Sequence, residues 1–119
     1  NNIYKFNIEI EHKNLKICEP FEFIDLLKLE YDARIVITDS GTCQEEACIF
    51  GIPTVTIRET TERPETIKCG SNIVSGLDTD NILSCYKIML NRRTYWKIPD
   101  GYDNDNVSEN VVQYILGAN

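Results

Sequence analysis

The chain has 119 residues, 42% of them apolar and 26% charged, the profile of one ordinary globular domain able to bury roughly two thirds of its unfolded surface. Its net charge of −7, from 19 acidic against 12 basic residues, argues against nucleic-acid binding, which needs a basic face. No apolar run approaches the ~20 residues of a membrane span, and the opening NNIYKFNIEIEHKN lacks the charged-then-apolar order of a signal peptide, so a cytoplasmic protein is expected.

In chain order, short β-branched runs alternate with helical stretches, which predicts an α/β fold: a Rossmann-like parallel sheet with helices on both faces. The entry stretch is polar and unpatterned. It carries no GxGxxG and no opening strand with a glycine-rich phosphate turn, so the chain reads as the back half of a larger protein. A first strand is expected over 15–18. After Pro20, the positions of Phe23, Leu26, Leu27, Glu30 and Tyr31 have helical spacing.

The run RIVIT predicts a buried parallel strand over 34–38. A helix over 42–50 follows, closed by Gly51-Ile52-Pro53 in the order of a C′ glycine and a proline stop. TVTIR predicts the next strand, over 54–58. Pro64 suits the first turn of a short helix ending near Gly70, and a further strand is expected over 72–74. Asp78 or Thr79 can cap a longer helix whose apolar face carries Ile82, Leu83, Tyr86 and Leu90. Residues 92–106, with Pro99-Asp100-Gly101 and several Asp and Asn, read as a loop, and a last helix is expected over 107–116.

Five cysteines form no CxxC pair and there is a single histidine, His12. No zinc-type ligand spacing arises, no metal or cofactor is expected, and the thiols read as reduced, small apolar side chains. Cys43 stands apart, because a thiol at a helix N-terminus either packs or acquires a lowered pKa and reactivity.

The densest chemistry lies in residues 39–65, DSGTCQEEACIFGIPTVTIRETTERPE. RIVIT leads directly into Asp39-Ser40-Gly41-Thr42 and a helix, placing Ser40, Gly41 and Thr42 at the carboxyl edge of the sheet, where open α/β sheets bind ligands. Unpaired N–H groups, the positive helix end, a glycine that lets an anion approach and two hydroxyls suit a phosphate or diphosphate. Glu45 and Glu46, placed in the first helical turn, either complement the dipole or, in the case of Glu46, accept the two ribose hydroxyls of a nucleotide. Arg63, fixed just before Pro64, either pairs with Glu62 or Glu65 at the surface or presents its fork to a sugar or phosphate oxygen.

The order DSG, QEE, GIP and TERPE in this stretch resembles the C-terminal domain of the UDP-N-acetylglucosamine 2-epimerase family, and the resemblance runs from about Leu15 to the end of the chain. It implies a two-domain GT-B arrangement in which this chain is the UDP-holding domain. Ser40, Gly41 and Thr42 would contact the diphosphate, Glu46 the ribose and Arg63 the phosphate or sugar side. EPFEFIDLL resembles the segment that cradles uracil, making Phe21 and Leu26 the implied base contacts, although the family more often has Gln and Phe at these positions. Thr42 stands where the family has glycine. The loop YDNDNVSENVV lacks the family's glycines and looks closer to the branch acting on N-acetylfucosamine-type or uronic-acid UDP-sugars.

The reaction implied by the resemblance inverts C2 of a UDP-2-acetamido sugar by eliminating UDP and adding it back to the other face. Its acid–base carboxylates and assisting histidine belong to an N-terminal domain and interdomain region absent from this chain, so no catalytic residue is assigned here and His12 is not given that role. Implied partners are UDP, the UDP-sugar, the N-terminal domain and, for the full-length enzyme, a second copy in a homodimer. Three alternatives stay open: a hydrolysing enzyme releasing UDP and N-acetylmannosamine, a non-catalytic nucleotide-sugar-binding module, and a structural α/β domain without a ligand.

Overall fold

The computed structural model describes residues 5, 12–92 and 95–117. Among the described residues, eight elements follow one another: α1 (Phe23–Tyr31), β1 (Val36–Thr38), α2 (Gly41–Phe50), β2 (Thr54–Thr56), α3 (Pro64–Cys69), β3 (Asn72–Val74), α4 (Thr79–Leu90) and α5 (Val107–Gly117). The strands form a parallel sheet in the order β1-β2-β3, with Val36, Thr54 and Asn72 in register across it. The α/β architecture expected from the alternation of runs is thus the one observed.

β2 shows why the sheet must be covered on both sides. Successive strand residues point to opposite faces, yet Thr54, Val55 and Thr56 are all fully buried. α2 packs on β1 and β2 and also touches α1 and α3, while α4 packs on β2 and β3. Right-handed crossovers that step along the sheet in one direction put α2 and α3 on one face, leaving α4 to cover the other.

The helix boundaries follow from local chemistry. Ser40 caps α2 by accepting the Cys43 N–H, and Gly51 ends it in the left-handed region at φ 75°, where a side chain would be strained. Of the two candidate caps for α4, Asp78 takes the role, its carboxylate accepting the Asn81 N–H at 3.0 Å. Tyr31 and Phe50 meet edge to face, with ring centroids 5.6 Å apart, and join the ends of α1 and α2. Over residues 95–106 the chain is irregular, as expected of the loop, and Trp96 ties it down by donating its indole N–H to the Cys48 carbonyl at 3.0 Å.

One expected element is absent. Residues 15–18 form no strand, and Leu15 and Ile17 are exposed. A strand exists only through its ladder, and among the described residues the free edge of β1 receives no such partner.

Four core residues are apolar and fully enclosed, Ala47, Cys48, Val55 and Met89. Truncating the central one, Val55→Ala, should cost about 1.5–3 kcal/mol, from lost methyl burial plus the cavity left behind, readable as a lower urea midpoint at unchanged slope. Burial also pushes the Cys48 thiol up to about 11, so at pH 8 only roughly one part in a thousand is thiolate. Mass mapping after iodoacetamide treatment should find exposed Cys18 modified and Cys48 spared until denaturant is added.

Candidate functional site

The carboxyl ends of β1 and β2 run into two loops, Asp39-Ser40 and residues 57–63, which the fold brings side by side. Arg63 marks their closeness. Its guanidinium carbon and Nη2 lie 3.9 Å from the position a Cβ on Gly41 would occupy. The sequence-derived diphosphate loop and the sequence-derived arginine are therefore neighbours.

A chain of buried polar contacts fixes this proximity. Gln44 is fully buried on α2. Its amide N–H donates to the Ser40 carbonyl at 3.1 Å, while its oxygen accepts from the Thr61 hydroxyl at 2.6 Å and from the Asn72 amide at 3.1 Å. Thr61 in turn accepts the Arg63 N–H at 3.1 Å, and the Thr66 hydroxyl donates to the Arg63 carbonyl at 2.7 Å. Asn72 completes the set by donating to Thr66 and accepting from the Thr56 hydroxyl at 2.8 Å. Each buried group has a partner, which makes such a network rigid rather than costly.

The charges beside it are paired by position. Arg58 grips Glu62 with both guanidinium nitrogens, at 2.8 and 2.9 Å. This bidentate contact holds the Glu62 carboxyl below its ordinary range. The expected surface pairing of Arg63 with Glu62 or Glu65 is not what forms. Arg63 Nε instead sits against Glu45 Oε1 in an ion pair that lacks the alignment of a hydrogen bond, and Nη1 donates to the Glu62 carbonyl at 3.3 Å. Nη2 is left beside Gly41, a placement suited to an anion shared by the arginine and the start of α2.

Glu45 and Glu46 are the fifth and sixth residues of α2, not part of its first turn, because the helix begins at Gly41, one residue earlier than expected. The dipole fades beyond the first turn, which leaves their reading as dipole complements without support. Glu46 lies half-buried beside Glu30, and burial, then the charge of Glu30, raises its carboxyl above the ordinary value. Cys43 is likewise pushed up by burial, reinforced by Glu30, with the Ser40 and Thr38 hydroxyls acting the other way. Both burial and the acidic neighbour act against the lowered pKa that a reactive thiol would need.

The remaining site residues divide. Ser40 and Gly41 are half-buried and Thr42 is exposed at the helix start. The Ser40 oxygen accepts the cap bond, leaving its O–H to donate. Phe21 lines a groove with Asp25, Lys28, Leu29 and Asp32, whereas Leu26 lies one helical turn from Glu30 on a different stripe of α1. Both implied base contacts are exposed, Phe21 at 47% and Leu26 at 36%. A larger cleft of ≈ 600 Å³ opens beside the β1–α2 turn, lined by Asp39, Ile57, Arg58, Glu59, Thr60 and Leu77, and its carboxylates suit hydroxyl groups. Gln44, Arg58 and Asn72 were not singled out from the sequence, and Glu45 was read there only as a complement to the helix dipole. The four-residue spacing of Arg58 and Glu62 across a loop was a usable signal, but the partners of Gln44 lie 17 and 28 residues away.

A family model described as UDP-N-acetylglucosamine 2-epimerase matches residues 2–116. The UDP-N-acetylglucosamine 2-epimerase of Methanococcus maripaludis is 44% identical over 110 residues, covering 92% of this chain and 30% of that protein. Among solved structures, UDP-GlcNAc 2-epimerase from Methanocaldococcus jannaschii, in complex with UDP-GlcNAc and UDP, superposes with a TM-score of 0.86 at 38% identity, over 98% of this chain and 32% of its own. The Neisseria meningitidis UDP-GlcNAc 2-epimerase, bound to UDP-GlcNAc, gives a TM-score of 0.63 at 32% identity, over 84% and 28% respectively. The chain spans about a third of the length of the relatives it matches.

Replacing Gln44 by Leu removes the shared acceptor of Thr61 and Asn72 and strands both donors. At about 1–3 kcal/mol for each unsatisfied buried group, the variant should lose about 2–5 kcal/mol in denaturant unfolding, with hydrogen exchange at the Arg63 amide accelerated beyond that global loss.

Proposed function

The chain belongs to the UDP-N-acetylglucosamine 2-epimerase family, and from that membership we propose that it is the UDP-holding, C-terminal domain of a GT-B-type enzyme that inverts C2 of a UDP-2-acetamido sugar. The observation that carries this reading is the Arg63 guanidinium standing over Gly41 at the start of α2. Helix N–H groups, a guanidinium and the Ser40 and Thr42 hydroxyls converge there, which is what a diphosphate requires.

In this reading the diphosphate lies on Gly41 and Thr42 against Arg63, and Glu46 accepts the ribose hydroxyls. Phe21 and Leu26 offer contacts to the base. Inversion proceeds by departure of UDP and its return to the opposite face of the sugar, so the domain has to hold free UDP between the two steps. The proton-moving carboxylates come from the N-terminal domain. The cleft lined by Asp39 and Glu59 supplies hydroxyl acceptors on the side where the sugar projects. Assembly as a homodimer belongs to the same proposal.

Titration of the chain with UDP, followed by backbone amide NMR, should give saturable shifts at Ser40, Gly41 and Thr42. Arg63→Ala and Glu46→Ala should each weaken binding by roughly 10- to 100-fold, since a hydrogen bond to a charged group contributes about 1.5–3 kcal/mol. Unchanged affinity in both variants, or no shifts at millimolar UDP, would remove the assignment. For the full-length enzyme supplied with UDP-GlcNAc, the expected product is the C2 epimer still attached to UDP. Accumulation of free UDP with N-acetylmannosamine would replace the epimerase by its hydrolysing alternative.

A further inference from the structure

Glu30, Cys43 and Glu46 form a cluster that nucleotide binding does not use as a unit. Each offers one ligand atom, a carboxylate oxygen or the thiol sulfur, and these atoms all lie within 4.8 Å of one another. Proximity of acids alone does not make a site. A second observation does: Glu30 is only 5% exposed, and its Oε2 is buried with no hydrogen-bond partner. A carboxylate oxygen removed from water without a donor is costly.

The groups that reach it are acids themselves, the Cys43 thiol and the Glu46 carboxyl, and Glu30 raises both. The groups acting on Cys43 and Glu46 are Glu30, Glu45 and the Ser40 and Thr38 hydroxyls, with no cation among them. Arg63 is committed to Glu45. Glu30 is the next-to-last residue of α1, where the negative helix end adds to the local field and favours a positive ion.

We propose that Glu30, Cys43 and Glu46 bind a divalent cation of the zinc or cobalt class through two carboxylate oxygens and one thiolate. Sulfur in the donor set selects this class over magnesium and calcium, which take oxygen ligands in larger number. Bond lengths of about 2.0–2.3 Å place the ligands of one tetrahedral ion roughly 3.3–3.7 Å apart, so closure takes side-chain movements on the order of an ångström. Three protein ligands leave a fourth position for water or a ligand oxygen. Glu46 supplies one oxygen to the ion and keeps the other for a ribose hydroxyl, so the site is compatible with the nucleotide reading and does not depend on it.

Cobalt(II) is the probe, because a cobalt–thiolate bond absorbs in the near ultraviolet while a cobalt–carboxylate bond does not. Titrating the chain with cobalt(II) should produce that band with a one-to-one endpoint. Cys43→Ser should abolish it, and the near-isosteric Glu30→Gln should weaken binding at least about tenfold, with circular dichroism confirming that both variants fold. Cys48→Ser is the control for the close thiol pair of Cys48 and Cys69, 3.8 Å apart, and should leave the band intact. Absence of the band at millimolar cobalt, as for a cluster holding only a shared proton, overturns the proposal, and so does a band that survives Cys43→Ser. Arg63→Ala should leave cobalt binding unchanged, so failure of the nucleotide assignment and failure of the cation site are read separately.

Discussion

Everything at this sheet edge depends on a single buried amide. Gln44 has no route to solvent, so its donor and acceptor must be met inside the protein, and the fold meets them with groups from three separate places: the Ser40 carbonyl, the Thr61 hydroxyl and the Asn72 amide. An unsatisfied member would cost as much as a sizeable fraction of a small domain's stability. The two loops are consequently not free to drift apart. Their spacing is set by hydrogen-bond lengths, and Arg63 inherits its place over Gly41 from that spacing.

Charge is arranged around this frame so that each cation is held by an acid from its own neighbourhood. Arg58 is engaged by Glu62 and Arg63 by Glu45. These pairs are partly exposed, and such pairs add little stability, so their importance lies in orientation. Arg63 is neutralised on one edge and keeps the other toward the start of α2. The cluster of Glu30, Cys43 and Glu46 has no basic residue among the groups acting on Cys43 and Glu46.

The rest of the chain is less enclosed than its composition implies. α5 buries no residue, and Val111, Tyr114, Ile115 and Leu116 are all exposed. Phe23, Ile24 and Leu29 of α1 are exposed as well. Among the described residues, apolar burial is concentrated in β2, α2 and the single methionine of α4, and buried polar residues extend it to α3 and β3.

The sequence by itself determined which segments are helix and which are strand wherever the signal is local: a β-branched run between turn residues for β1 and β2, a left-handed glycine followed by proline after α2, a proline at the head of α3. It also determined the site motif, because Ser40, Gly41, Thr42 and Arg63 lie in a recognisable order along the chain. What it left undecided depends on distance through space. Whether residues 15–18 form a strand depends on a pairing edge, and whether Asp78 or Thr79 caps α4 depends on which side chain reaches an N–H. The Arg63–Glu45 pair, the bonds of Gln44 to Thr61 and Asn72, and the meeting of Glu30 with Cys43 and Glu46 join residues 13 to 28 positions apart. Hydrogen bonds and ion pairs act over a few ångströms, and only the folded backbone brings such positions within that range.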